Sequence, residues 1–191
     1  ETGNKMETNN KTIDIIVPCY NEEDVLNLFY TESSKVTEGI SDYTCRYIFV
    51  DDGSRDKTLS ILQELAEKHS NVNYISFSRN FGKEAAMYAG LDHSTGDYVV
   101  IMDADLQHPP TMIPDMIEGI KEGYDCCAAR RTTRKGEAPI RSFFSSMFYK
   151  VNQKMTNIDL VQGAVDFRIM TRDMVNSVLA LSERQRFSKG I

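Results

Sequence analysis

Two aspartates one residue apart are the clearest chemical signal in the chain. Asp103 and Asp105 directly follow the apolar run 98–102, and Gln107 comes two residues later. Oxygen ligands of these types suit a hard divalent cation, Mg²⁺ or Mn²⁺, which would bridge the carboxylates to a diphosphate. A solvated acidic turn would have the same composition. The apolar run before the pair and Pro109-Pro110 after it favour the metal site.

Polar residues also follow two other apolar runs. Run 13–17 ends in PCYNEE, and run 47–50 ends in DDGS, where Gly53 is suited to a positive φ. Tyr20 offers a ring on which a nucleobase can stack, while one aspartate of DDGS can accept an N–H of the base. Turn bracing or helix capping would explain the same aspartates and Asn21 equally well. Open α/β sheets bind ligands beyond the carboxyl ends of their strands, so we expect these clusters to share one crevice.

A third cluster is cationic. Arg79 and Lys83 lie on either side of Gly82, where the pattern predicts the start of a helix. A helix N-terminus with two cations can hold an anion, although both side chains could also simply be solvated. The chain has neither the GxGxxG nor the GxxxxGK[ST] loop, which removes the usual sequence evidence for a dinucleotide site or a P-loop.

The elements that position these residues follow an alternating pattern. Apolar runs rich in β-formers are separated by segments with helical spacing, which predicts a parallel α/β sheet in one domain. Strands are predicted at 13–17, 47–50, 72–77, 98–102, 125–129 and 165–170. Helices are predicted at 56–69, 139–155 and 173–181.

Composition limits the alternatives. The chain has 191 residues with 41% apolar content, enough for one sizeable core in a domain spanning 12–191. Residues 1–11 are polar and indicate an engineered start and a loose arm. No apolar run is long enough to span a membrane. The four cysteines lack CxxC or zinc-type spacing, which favours reduced thiols in the cytosol.

The net charge of −6 is unevenly distributed. Residues 130–191 contain 12 Lys and Arg but only 5 Asp and Glu, which suits an anionic partner or is simply a solvated surface. Nucleic acid is disfavoured because overall basicity and a binding motif are both absent. Apolar residues recur every three or four positions through 140–158, and such a helix can lie in a bilayer interface or pack on the core.

Five segments, taken in order, resemble inverting glycosyltransferases of family two with the GT-A fold. They are most similar to the polyprenyl-phosphate glycosyltransferases, the group of dolichol-phosphate mannosyltransferase and the bactoprenol glucosyltransferases. The segments are PCYNEE, VDDGSRDKT, SRNFGKEAAMYAGLDHSTGDYVVIMDADLQHPP, RRTTRKGE and VDFRIMTR. The resemblance implies an α/β, Rossmann-like, mostly parallel sheet flanked by helices, with amphipathic juxtamembrane helices at the C-terminal end.

The resemblance also implies roles for individual residues. The donor would be a nucleotide-diphosphate sugar, with uridine as the expected base. Its pocket would involve Pro18, Tyr20, Asn21 and Glu22, with Asp52 or Asp51 reading the base and Arg79 or Lys83 near that end of the donor. The segment Asp103-Ala104-Asp105 and Gln107 would hold the diphosphate and the Mg²⁺ or Mn²⁺, with Asp105 catalytic. Arg131 and Arg134 would bind donor or acceptor phosphate, and Asp166, a second catalytic candidate, would lie with Arg168 on the acceptor side.

The expected reaction is sugar transfer to a polyprenyl-phosphate lipid at the cytoplasmic face of a membrane. A phosphate acceptor is mostly dianionic at pH 7 and can attack without a general base, whereas a sugar hydroxyl would need a carboxylate such as Asp166. Transfer to a saccharide or another soluble acceptor remains open, as do a silent nucleotide-binding module and a homo-oligomer. Members of this group usually continue into transmembrane helices, so we expect a transmembrane region beyond Ile191 to have been removed.

Overall fold

The computed structural model of the chain describes residues 10–130 and 164–181. Within these ranges the strands are β1 (Lys11–Cys19), β2 (Tyr43–Asp51), β3 (Val72–Ser76), β4 (Tyr98–Ile101), β5 (Cys126–Arg130) and β6 (Ala164–Thr171). The helices are α1 (Leu26–Glu38), α2 (Thr58–Lys68), α3 (Lys83–His93), α4 (Ile113–Lys121) and α5 (Arg172–Ala180), and a 3₁₀ turn at Pro110–Met112 precedes α4.

The strands form a single six-stranded sheet in the order β3-β2-β1-β4-β6-β5. Neighbours β3, β2, β1 and β4 pair in parallel, and β6 runs antiparallel to both β4 and β5. This confirms the predicted α/β class with a mostly parallel sheet. The predicted strands and the helices at 56–69 and 173–181 all occur, with ends shifted by a few residues. Strand β1 begins at Lys11, one residue before the domain start expected from the sequence.

Apolar residues are buried on both faces of the sheet, and the interior strand β1 contributes to both clusters. Its residues Ile13, Ile15 and Val17 pack in one cluster with α1, α2 and α4, while Ile16 packs on the opposite face with α3 and α5. All four side chains are fully buried. Burying each stabilises the fold by about 1.5–3 kcal/mol before the entropy of ordering is subtracted. The apolar residues of 13–17 therefore lie on both faces of a strand that is covered on both sides.

The direction of β6 brings a distant part of the chain to the site. Antiparallel pairing sets Arg168 opposite Ile101, the last residue of β4. Residue Asp166 therefore lies at the same sheet edge as Asp103, just beyond the end of β4. The sequence pattern predicted a strand here but not its direction.

Several predictions fall on residues outside the described ranges. They are residues 1–9 of the loose arm predicted at 1–11, Arg131 and Arg134, the helix predicted at 139–155 and the amphipathic pattern at 140–158. Among the described helices, none combines the length and the apolar character needed to cross a bilayer.

Candidate active site

A crevice of about 340 Å³ opens at the edge where β1, β2 and β4 end. It also takes residues from the start of α3, so four separate segments of the chain contribute to it. The lining residues are Pro18, Cys19, Tyr20, Glu22, Asp52, Asn80, Gly82, Lys83, Ala86, Asp103, Ala104 and Asp105. The expected convergence of the polar clusters is therefore present in the structure.

The turn after β1 is fastened to the turn after β2. Asn21 has a left-handed backbone (φ 55°), and its N–H donates to Ser54 Oγ at 2.9 Å. Its side-chain oxygen accepts the N–H of Arg55 at 2.9 Å. Asn21 does not cap α1, which begins at Leu26 after Val25. Its contacts instead make it a brace between the two turns, while Tyr20 stays 41% exposed on the crevice wall.

The two aspartates of DDGS have different surroundings. The carboxylate of Asp51 accepts the N–H of Ser54 at 3.0 Å and the hydroxyl of Ser76 at 2.9 Å, and it does not line the crevice. The carboxylate of Asp52 accepts the N–H groups of Phe81 at 2.7 Å and Gly82 at 2.9 Å. Asp51 thus braces its own turn, whereas Asp52 ties the end of β2 to the start of α3 and also faces the crevice.

Gly53 permits the close approach of these two loops. Its φ is +68°, and a Cβ on it would lie 2.3 Å from the backbone carbonyl carbon of Arg79. No residue with a side chain fits that space without moving the facing backbone. The expected positive φ at Gly53 is confirmed, and the contact explains why the loop 79–82 sits directly on DDGS.

The two cations of the third cluster have separate positions. The guanidinium of Arg79 lies 4.7 Å from the centre of the Phe81 ring, and Arg79 is not among the lining residues described. The ammonium of Lys83 lies 2.6 Å from Asp103 Oδ1 and 2.7 Å from Asp166 Oδ2. Lys83 therefore joins the end of β4 to β6.

Lys83 remains a cation in this position. Partial burial lowers its pKa, but hydrogen bonds and charge from Asp103 and Asp166 more than offset that effect, so the pKa lies above 10.5. Arg168 Nη2 lies 3.7 Å from the other oxygen of Asp166, and both side chains are mostly buried. Asp166 and Arg168, predicted together from DFR, therefore lie together at the crevice edge.

Negative charge in the crevice is concentrated at Glu22, Asp103 and Asp105. Asp105 is exposed, and its Oδ1 accepts the N–H of Gln107 at 3.0 Å. Desolvation, followed by the charges of Asp105, Asp103 and Asp56, raises the pKa of Glu22 above 4.5. Carboxylates that repel one another in this way are a suitable environment for a cation.

The donor set fits a cation held jointly with a phosphate ligand. Among residues 10–130 and 164–181, no three His, Cys, Asp or Glu side chains are arranged to hold a metal by themselves. Mg²⁺ sites at phosphates commonly use only one or two carboxylates, the phosphate oxygens and water. Asp103 and Asp105 meet that requirement, while the Gln107 side chain is exposed and does not line the crevice.

Sequence reasoning gave no role to four of the lining residues. Cys19, Asn80, Gly82 and Ala86 all border the crevice. The segment SRNFGKEAA contained a signal for the last three, since α3 begins at Lys83 and its first turn faces the strand ends. Burial raises the pKa of the Cys19 thiol well above 9.0, so this cysteine lines the crevice as an unreactive thiol.

Comparison with known proteins gives consistent matches. The profile of the family described as Glycosyl transferase family 2 matches residues 14–179. "Putative glycosyltransferase CsbB" of Bacillus subtilis strain 168 is 48% identical over 179 residues, covering 94% of this chain and 54% of that protein. "Prophage bactoprenol glucosyl transferase homolog" of Escherichia coli K12 is 39% identical over 179 residues, with 94% and 58% covered. The chain thus spans little more than half the length of these relatives.

Solved structures share the fold at low sequence identity. A mannosyltransferase of Pyrobaculum calidifontis, in complex with GDP-Man and Mn²⁺, has a TM-score of 0.60 at 20% identity, with 87% of this chain and 46% of that chain covered. Glucosyl-3-phosphoglycerate synthase of Mycobacterium tuberculosis, in complex with Mn²⁺, UDP-glucose and phosphoglyceric acid, has a TM-score of 0.57 at 19% identity, with 86% and 58% covered. The sheet and its helices are therefore GT-A-like.

Proposed function

The chain belongs to glycosyl transferase family 2, and on that premise we propose that it transfers a sugar from a nucleotide-diphosphate sugar to a polyprenyl phosphate, with inversion at the anomeric carbon. The observation that carries the proposal is the crevice where Asp52, Lys83, Asp103 and Asp105 meet. The bactoprenol glucosyl transferase among its relatives supports the lipid acceptor. The family and the crevice together argue against a silent binding module.

The base of the donor is proposed to lie between Tyr20 and Asp52. Tyr20 presents a half-exposed ring on the crevice wall, suited to stacking. A carboxylate has about four acceptor positions, so Asp52 can accept a base N–H while it holds the N–H groups of Phe81 and Gly82. Asp51 has no such access because it lies outside the lining. Uridine is the proposed base, although the GT-A-like neighbours include complexes with both GDP-Man and UDP-glucose.

The diphosphate is proposed to lie beside Asp103 and Asp105. Mg²⁺ or Mn²⁺ held by these two carboxylates would neutralise charge on the leaving diphosphate. Gln107, expected from the sequence as a further oxygen ligand, lies outside the crevice lining and is not included in this proposal. Asp105 is exposed at the crevice and is the carboxylate best placed to face such a complex. Burial, and after it the charges of Asp105 and Asp103, raises the pKa of Glu22, which lies with these two carboxylates in the crevice lining.

The surroundings of Asp166 favour a phosphate acceptor over a sugar hydroxyl. A hydroxyl would need a carboxylate to take its proton, and Asp166 is the nearest candidate on the acceptor side. Its carboxylate is engaged by Lys83 at 2.7 Å and faces Arg168 at 3.7 Å, so taking a proton would disrupt these ion pairs. A dianionic phosphate attacks without that step. We therefore assign Asp166 to positioning beside the reacting groups.

The remaining acceptor contacts belong to residues outside the described ranges. Arg131 and Arg134 are proposed to bind phosphate as a paired cationic site. The apolar pattern at 140–158 is proposed to rest on the cytoplasmic surface of the membrane, with the basic residues of 130–191 facing anionic lipid. Both proposals concern the acceptor and leave the donor site unchanged.

Calorimetry with UDP, GDP and dTDP tests the donor half of the proposal. We expect UDP to bind best, to require Mn²⁺ or Mg²⁺, and to lose most of its affinity in Asp105→Ala. Asp115→Ala, the same substitution in the first turn of α4 outside the crevice lining, is the matched control and should bind normally. Unchanged affinity in EDTA would contradict the cation, and a preference for GDP would contradict uridine.

A further inference from the structure

We propose that Lys83 is the internal counter-cation of Asp103, competing with a divalent cation for this carboxylate until the donor binds. The inference rests on the proposed function because it assumes that Asp103 belongs to the donor's cation site. It assigns Lys83 to the diphosphate end of the crevice, away from the base. In this role the ammonium of Lys83 weakens the binding of a free divalent cation and holds the ends of β4 and β6 together.

The position of Lys83 is fixed by the backbone in front of it. Lys83 is the first residue of α3, and Asp52 holds the N–H groups of the two preceding residues, Phe81 and Gly82. Asp52 is 3% exposed, so water has little access to these two hydrogen bonds. These hydrogen bonds position the start of α3 so that the Lys83 ammonium reaches Asp103 and Asp166.

The contact with Asp103 occupies an oxygen that a cation would need. Lys83 Nζ lies 2.6 Å from Asp103 Oδ1, a short charge-assisted hydrogen bond. A divalent ion on the same oxygen would lie close to the ammonium, and like charges at such a distance repel. Lys83 must therefore move from Asp103 before that oxygen can coordinate, and its second partner, Asp166, can keep it in the site.

The charges of the whole site support this competition. Within the described residues, Lys83 pairs with Asp103 and Asp166, and Arg168 lies 3.7 Å from Asp166. The carboxylates of Glu22 and Asp105 add further negative charge nearby, so negative charge is in excess. Removing Lys83 makes the site more negative and frees Asp103. The affinity for a free divalent cation should therefore rise when the ammonium of Lys83 is removed.

Titration of Mn²⁺ alone, followed by electron paramagnetic resonance of the unbound ion, tests the inference without nucleotide or acceptor. Lys83→Met should bind Mn²⁺ at least about tenfold more tightly than the wild type, and Lys83→Arg, which keeps the charge, should restore weak binding. Lys68→Met is the matched control, since it removes an exposed ion pair with Glu64 on α2 and should change nothing.

The gain in Mn²⁺ affinity must also depend on the carboxylate that Lys83 contacts. Adding Asp103→Ala to Lys83→Met should abolish the gain in Mn²⁺ affinity, because Asp103 is the carboxylate that Lys83 contacts. Lys83→Gln provides a second neutral variant should Lys83→Met fold poorly. Wild-type affinity in both neutral variants, with normal melting, would overturn the inference, as would a gain that survives Asp103→Ala. These results are independent of nucleotide preference, so they are distinguishable from failure of the proposed donor.

Discussion

The substitution Asp52→Asn should destabilise the fold although it leaves the size of the side chain unchanged. The carboxylate accepts N–H groups at 2.7 Å and 2.9 Å, and Asp52 is almost fully buried. Asparagine keeps one acceptor oxygen and turns an NH₂ group towards the second N–H. The variant loses one hydrogen bond to a charged group, typically about 1.5–3 kcal/mol, and leaves a buried donor without a partner. We expect a total loss of about 3 kcal/mol.

Thermal unfolding followed by circular dichroism measures this loss. For a domain of this size, 1 kcal/mol corresponds to about 2–4 °C, so the midpoint should fall by about 6–12 °C. Asp92→Asn makes the same chemical change on the exposed side of α3 and should shift the midpoint by less than about 2 °C. A shift equally small in Asp52→Asn would refute the anchoring role and leave Asp52 with base recognition alone.

Three other substitutions test separate parts of the structure. Gly53→Ala should be clearly less stable to urea than Gly123→Ala, because both glycines have positive φ but a Cβ only on Gly53 would lie 2.3 Å from facing backbone. Equal losses of stability in the two variants would exclude the loop contact. Glu22→Gln should be more stable than the wild type at pH 7, because the raised pKa of Glu22 means that folding disfavours its charged form. The difference in stability should shrink as pH falls through the raised pKa and vanish below 4.5. A difference that stays constant with pH would contradict the pKa shift. Arg131→Ala and Arg134→Ala should lose transfer to polyprenyl phosphate in the membrane-reconstituted full-length enzyme while melting normally, and normal transfer would eliminate their proposed role.

Local patterns in the sequence were sufficient to predict the sheet and much of the site. The β-rich apolar run at 13–17 predicted a strand, which the structure has as β1, and DDGS predicted a turn, in which Gly53 has a positive φ. The convergence of the polar clusters followed from one rule, that parallel strands present their carboxyl ends at one edge. These predictions succeeded because each depends on residues close together in the chain.

Contacts between distant segments were not predictable in this way. The pairing of Lys83 with Asp166 depends on β6 running antiparallel to β4, and neither strand contains a local signal for that direction. The capture of the Phe81 and Gly82 N–H groups by Asp52 likewise depends on two loops about thirty residues apart meeting over Gly53. Sequence reasoning therefore recognised Asp52 and Lys83 as polar site residues without finding their structural partners.

Formation of a lipid-linked sugar is the most direct test of the proposed function. The full-length protein, reconstituted in vesicles with Mn²⁺, is given a radiolabelled UDP-sugar panel and either polyprenyl phosphate or an oligosaccharide, and the organic-phase product is counted. We predict label in the lipid fraction for at least one donor, none with the oligosaccharide, and loss of the product in Asp105→Ala. Label transferred to the oligosaccharide but not to polyprenyl phosphate would contradict the proposal.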